Sequence, residues 1–263
     1  MPGSARPAAA RSARRAAAPR RPLVARRTRR PRRRRRRTPT PRARRRRRGY
    51  VRQSRSHGDY QLTAKLASLG LGFLSSSGIV DIAEPLLERL AKESGELVRL
   101  AIVDDDRLVW VAMAQGTRSG LRYDPDMGMD ARLSCTASGH AWLLTLSDER
   151  ALELVSRQGF GQPKDHGPKA PTTVRSLLGL LQAARARGYA MIDEVFAPGM
   201  TAMAAPVVRG REAVGVISIA GPRQRLTVAR MQQLAPAMLA ATAELGPISR
   251  ASTLFGRPQL GKS

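Results

Sequence analysis

The sequence predicts an α+β domain over residues 73–247, with one central antiparallel sheet and helices beside it. Three observations predict it. From Asp81 onward the patterns read helix, strands, short helices, long helix, strands, helix, not a strict strand–helix alternation. Two apolar runs, Met200 to Val208 and Ala213 to Ala220, flank the polar tip Arg209-Gly210-Arg211-Glu212, the pattern of a β-hairpin. Two longer segments, Thr173 to Arg187 and Val228 to Leu245, repeat apolar residues at helical spacing.

Taken in order, the first helix of the domain is Asp81 to Ser94. Asp81 with Glu84 resembles a capping box. Ile82, Leu86, Leu87 and Leu90 make one apolar face, Pro85 falls in or just past the first turn, and Gly95 closes the helix. Leu97 to Val103 and Leu108 to Met113 predict a hairpin around Asp104-Asp105-Asp106-Arg107. Three adjacent carboxylates without further spaced ligands do not make a calcium loop, so this turn is read as solvated and no metal is expected. Arg118 to Tyr123 is read as a further short strand. In Ala131 to Leu144, Ser134 or Thr136 can cap a helix running through Ala141. Ser147 to Ser156 predicts a short helix, and Arg157 to Pro171 a Gly- and Pro-rich loop. Val174, Leu177, Leu178, Leu181 and Ala184 share one face of the long helix. Tyr189 to Ile192 is a third apolar run, ending in Asp193-Glu194. Gly188, Gly199 and Gly221 mark changes of chain direction. The closing helix aligns Met231, Leu234, Met238, Leu239 and Thr242, and residues 248–263 read as a frayed tail.

The hairpin strands are rich in small residues: Ala202, Ala204, Ala205, Gly215, Ser218 and Ala220. A sheet face lined by small side chains either receives a helix closely or leaves room for a ligand. The residues alone leave both open.

The charge is uneven. The chain of 263 residues carries a net +27, yet residues 1–48 hold 22 Arg and no Lys, Asp or Glu, leaving the rest at only +5. That front is almost wholly Arg, Ala and Pro, with Leu23 and Val24 as its only large apolar residues. It cannot bury enough surface to offset chain entropy, so it is read as disordered. A polybasic arm binding nucleic acid through phosphates is one reading of it. A targeting peptide fits the run Arg32 to Arg37 and the prolines poorly. GC-rich DNA read out of frame, or a misassigned start, would also produce it. Cys135 is the one cysteine, which excludes an internal disulfide and suits a cytoplasmic protein. No apolar run approaches the ~20 residues of a membrane span.

An ordered set of motifs resembles the effector-binding domain of the IclR family of bacterial transcription regulators. The set is Gly188-Tyr189-Ala190, Asp193-Glu194, Gly199, Ala204-Ala205-Pro206-Val207 and Ser218-Ile219-Ala220-Gly221-Pro222. Upstream, Ser134-Cys135-Thr136-Ala137-Ser138-Gly139-His140-Ala141 is similar to the family's loop-helix motif, with Ser134 and His140 where His and Lys are usual. Leu62, Thr63, Lys65, Leu66, Leu69 and Gly70 match its linker helix, read here as Leu62 to Phe73. Gly49 to Thr63 looks like the wing hairpin of a winged helix-turn-helix. The family would place base-reading helices before that wing. Residues 1–48 show no amphipathic period of that kind.

The resemblance implies a GAF-like sensor domain at 73–247, preceded by a wing remnant and linker at 49–72. It implies no cofactor, promoter DNA as partner through wing residues Arg52 and Arg55, and a homodimer or homotetramer. Carried over by motif, the effector pocket comprises Tyr123, Ala131, Ala137, Ser138, Ile192, Met200, Ala202, Ser218 and Ala220. Apolar groups stand at Ile192, Ala202 and Ala220, so a carboxylate with an apolar or aromatic body is expected. Its acid is expected at the helix start near Ala137 to Gly139, with Ser138 or Ser218 donating hydrogen bonds. Cys135 beside Ser138 and His140 invites a nucleophile reading. Catalysis needs a base in reach and a group to orient it, which that spacing does not supply. His57 and His166 are remote in sequence, so no enzyme is expected.

Overall fold

The structure, a computed structural model, describes residues 49–53, 60–121, 123, 130–252 and 255. The chain divides into residues 1–48 and 49–263, and the arginine-rich front lies outside the described residues. The elements are β1 Val51–Gln53, β2 Tyr60–Leu62, α1 Ala64–Ser76, α2 Ile79–Ser94, β3 Leu97–Asp104, β4 Arg107–Gln115, α3 Ala137–Leu143, α4 Asp148–Gln158, α5 Val174–Arg187, β5 Ala190–Asp193, β6 Met200–Arg209, β7 Glu212–Pro222 and α6 Val228–Ile248.

Five strands form one antiparallel sheet in the order β4-β3-β7-β6-β5. The predicted α+β class and central sheet are therefore present. Helices α2 and α6 pack on one face, against Val98, Leu100, Met203, Ile217 and Ile219. Helices α3, α4 and α5 cover the other, above Ala101, Trp110, Ala204, Val216 and Ala220. Burial on both faces explains why β7 is continuously apolar instead of alternating.

Several local signals translated directly. Gly210, with φ of 66°, forms the β6–β7 turn, as its place in the polar tip predicts. Thr173 and Ser176 complete a capping box on α5, and Ser147 caps α4 through the Arg150 N–H. Gly95 ends α2 in the left-handed region with its N–H on the Ala91 carbonyl.

Others did not. Helix α2 begins at Ile79, so Asp81 sits in its first turn and forms no capping box. Ser77 Oγ accepts from the Ile79 N–H and supplies the start. Pro85 lies in the second turn, where a proline costs about 3 kcal/mol. Ile79, Leu86, Leu87 and Leu90 are all buried, at roughly 1.5–3 kcal/mol each, and outweigh it. Residues 118–121 and Tyr123 form no strand. Their carbonyls are taken by side chains instead: Arg225 Nη2 donates to Leu121 O at 2.9 Å and Gln115 Nε2 to Tyr123 O at 3.0 Å. Gly221 is not a turn but lies inside β7, where a Cβ would stand 2.5 Å from a Glu96 carboxylate oxygen. Helix α6 runs through Pro247 to Ile248, and Ser249, Ser252 and Phe255 beyond it are buried, so this part of the tail is not frayed. Leu239 is partly exposed, and Ala235, Ala241 and Leu245 complete the α6 face.

Strands β1 and β2 pair as a hairpin, and Thr63 Oγ1 donates to Gly49 O at 2.5 Å beneath it. Arg52 is exposed on β1, while Arg55 lies outside the described residues. The linker helix is α1, two residues later than its sequence pattern starts. None of its residues is buried; Leu69 and Leu71 are 59% and 68% exposed.

Candidate ligand-binding pocket

Strand register aligns Ile192, Ala202 and Ala220 in one row and Ala204, Ser218 and Arg99 in the next. Ala205 and Gly215 lie on the opposite face, where Ala205 joins the α2–α6 core and a Cβ on Gly215 would meet the Ala101 carbonyl oxygen at 2.6 Å. On the first face both alternatives are realised side by side: α3 packs closely on the small residues, and a cavity remains beside its first turn.

The approach of α3 depends on Gly139. A Cβ there would stand 2.5 Å from Leu133 Cα and 2.6 Å from its carbonyl oxygen, so only glycine lets the helix start fold back on the preceding loop. Thr136 is the cap: its Oγ1 accepts from the Gly139 N–H at 2.9 Å and donates to the Arg132 carbonyl at 2.7 Å. His140 is fully buried with Nε2 2.8 Å from the Ser134 carbonyl. Burial pulls its pKa down against that bond, so a neutral imidazole donates and braces the loop.

Tyr123, Ala137, Ser138, Ile192, Met200, Ala202, Ser218 and Ala220 all line the cavity. Ala131, the ninth predicted residue, does not: it is wholly buried with its N–H on the Leu108 carbonyl at 2.7 Å. Arg99, Trp110, Thr136, Phe196 and Thr201 join the lining and were not expected. Arg99 had a legible signal, being the one charge inside the apolar run Leu97 to Val103. Thr201 is occupied, donating to Leu226 O at 2.5 Å. About 20 Å³ is open to a water-sized body, room for about one water, so any larger ligand must displace lining side chains such as Phe196 or Met200.

The polar groups of the cavity are unusual. Arg99 is buried with its guanidinium 3.9 Å from the Trp110 ring centre and 5.8 Å from that of Tyr123. Its Nε and the Oγ of Ser218 have no hydrogen-bond partner. Burial lowers the Arg99 pKa to about 10, opposed by Tyr123, and the guanidinium still carries its charge at neutral pH. Burial raises the Tyr123 pKa, opposed by Arg99, so the phenol is neutral and does not balance that charge.

An ion pair holds the rim. Arg225 Nε and Nη2 donate to the two oxygens of buried Glu96 at 2.7 and 2.9 Å. Through its bond to Leu121 O, Arg225 ties the segment bearing Tyr123 to the end of the sheet where β3 begins and β7 finishes.

The acidic clusters are structural. Asp106 pairs with Arg150 at 2.5 Å and also with Arg157. Asp193 pairs with Lys169 and with Arg223, the latter at 2.7 Å. Glu194 Oε1 accepts from the Gly199 N–H at 3.0 Å and closes the β5–β6 loop. Folding does bring His166 to Cys135, Nδ1 to Sγ at 3.6 Å, which sequence distance had hidden. Burial pushes the thiol up to about 11, against Arg132 and Ser134, so a neutral S–H faces the imidazole and His166 Nε2 lies 3.0 Å from Phe160 O. A thiol held protonated is a poor nucleophile.

The family profile described as bacterial transcriptional regulator IclR, C-terminal, matches residues 71–246. The transcriptional repressor IclR of Escherichia coli K12 is 30% identical over 200 residues, covering 75% of this chain and 72% of that protein. The acetate operon repressor of Salmonella typhimurium LT2 is 30% identical over 202 residues, with the same coverage of 75% and 72%. Among solved structures, Thermotoga maritima IclR matches with a TM-score of 0.64 at 24% identity, over 78% of this chain and 81% of that one. An IclR transcriptional regulator from Alicyclobacillus acidocaldarius matches with a TM-score of 0.66 at 21% identity, over 78% and 81%. No single helix among the described residues is long and apolar enough to cross a membrane.

Proposed function

The chain belongs to the IclR family of bacterial transcriptional regulators, and on that premise we propose that it is a ligand-responsive regulator whose cavity above β6 and β7 binds a small carboxylate effector and so controls promoter binding. It is a regulator and not an enzyme. The observation that carries the effector reading is the cavity itself. A largely apolar recess with a few convergent polar groups is the usual form of a small-molecule site. Calorimetry of the full chain against short oxo acids and aromatic acids tests it, paired with binding of its own promoter fragment with and without the acid. The expected result is an acid that binds and changes DNA affinity. A panel with no binding acid refutes it.

The exposed apolar residues of α1, Leu66, Leu69, Leu71 and Phe73, support a second copy of the chain as partner, in a homodimer or homotetramer. Light scattering of Leu69→Glu with Phe73→Glu checks this, with a shift to monomer expected. A second functional reading is supported by the 22 arginines of residues 1–48: nucleic-acid binding by phosphate contacts alone, with the sensor domain no longer tied to one operator. Such binding would fall steeply with salt and show little preference between DNA sequences, whereas operator recognition retains a sequence preference.

A further inference from the structure

Among the described residues, Arg99 is the one charged group lining the cavity, and no described carboxylate pairs with it. Arg99 is 6% exposed, and Ser218, directly opposite it in the β3–β7 ladder, is 3% exposed. Both present a buried polar atom without a partner, Arg99 Nε and Ser218 Oγ. Among the described residues no carboxylate pairs with this guanidinium, and Tyr123 beside it is a neutral phenol. Tyr123 hydrogen-bonds the guanidinium without neutralising it, and a buried cation with no counter-charge is costly unless something else completes it.

The contact with Trp110 matters for what that something is. The Trp110 ring centre lies 3.9 Å from the guanidinium carbon, and an indole, a donor only, supplies no acceptor for the N–H groups along the guanidinium's edge. Nε–H and one Nη–H on that edge point the same way and match the two oxygens of one carboxylate. The neighbouring walls, Ile192, Phe196, Met200, Ala202 and Ala220, bring no second charge.

We infer that the cavity takes a monocarboxylate, seated on the Nε edge of Arg99 with Ser218 Oγ as a further donor, and discriminates against dicarboxylates. This rests on the effector-binding reading and narrows it in two ways. The acid lies over β3 and not at the start of α3, a helix of 7 residues whose Gly139 N–H is already capped by Thr136. A second carboxylate in the same chamber would itself be a buried charge without a cation. Arg99 is thus a binding and specificity residue for the effector.

The test is calorimetry of the full chain with butyrate, 2-oxobutyrate and benzoate, with the neutral amides butyramide and benzamide, and with succinate and phthalate. Wild type is expected to bind at least one monoacid, with its amide and the matching diacid about 100-fold weaker or more. Arg99→Met is expected to lose about 100-fold toward that monoacid, and Ser218→Ala about 5-fold. Arg99→Lys keeps the charge without the paired edge and is expected to lose about 10-fold; it decides the matter if the methionine variant does not fold. Unchanged affinity in whichever Arg99 variants fold, or a diacid bound as tightly as the monoacid, overturns the inference while leaving the effector reading standing. Wild type silent toward every acid overturns both.

Discussion

Arg225→Ala should destabilise the domain more than Glu96→Gln, although both remove the same ion pair. The two partners differ in what is stranded. Glu96 is 3% exposed, while the Arg225 side chain is 41% exposed. Removing Arg225 leaves a buried carboxylate without a cation, which costs about 3–5 kcal/mol in comparable cases. Thr117 Oγ1, 3.4 Å from Glu96 Oε2, is too distant to compensate. The same substitution frees the Leu121 carbonyl that Arg225 holds at 2.9 Å. Removing the charge of Glu96 instead leaves an arginine that water can reach, so the cost should be about 1–2 kcal/mol. The double variant should be more stable than Arg225→Ala alone, because the stranded charge is gone. Urea unfolding of the four proteins gives the cycle directly. If Glu96→Gln proves the costlier change, or both cost under about 0.5 kcal/mol, the burial argument is wrong. Because the pair ties down the Tyr123 segment, Arg225→Ala should also weaken acid binding.

Three further outcomes follow from the same geometry. Arg99→Met, without ligand, should unfold at higher urea than wild type. The lowering of Arg99 from its ordinary value to about 10 corresponds to a burial penalty of about 3 kcal/mol as a ceiling. Because that pKa is depressed, the penalty is whole below pH 10 and is lost as pH rises toward the ordinary arginine range, so the gain should be constant from pH 6 to 9; a gain that changes in that window contradicts the assignment. Cys135, with its thiol near 11, should resist iodoacetamide at pH 8 in the native protein and react readily once unfolded, as mass spectrometry would record; rapid native alkylation would mean an exposed thiolate. Gly139→Ala should cost about 2–3 kcal/mol in urea unfolding and impair acid binding, since its Cβ would press on the Leu133 backbone at 2.5 Å; a neutral effect would show that the start of α3 yields easily.

Local chemistry explains which features could be read in advance. The β6–β7 hairpin needed only two apolar runs and a Gly-containing tip, and α5 only its 3.6-residue period and Thr173. Capping at Thr136 was among two options named from sequence, and the hydroxyl three residues before Gly139 was the one used. Where reading failed, a group outside the segment being read had intervened. Asp81 looked like a cap, but Ser77 lay two residues before Ile79 and took the role. Residues 118–123 looked like a strand, but Arg225, about 100 positions later in the chain, holds Leu121. Phe255 read as tail, yet it is buried in the α2–α6 core.

The same division holds for the pocket. Eight of the nine expected residues, carried over from the family's motifs, line the cavity, and the five on β5, β6 and β7 share one face of the sheet through the strands' period of two. Ala131 was misplaced because its position depends on a bridge from its N–H to Leu108, a contact between separate elements. Arg99 was visible as a lone charge in an apolar strand, but its neighbours were not. That it faces Ser218, lies against Trp110 and meets no carboxylate among the described residues follows from the pairing of β3 with β7 and β4. Family, fold class and hairpin thus come from short-range pattern along the chain. The placing of Arg99 beside Ser218, with no counter-charge among the described residues, arises from strands more than 100 residues apart in sequence being hydrogen-bonded side by side.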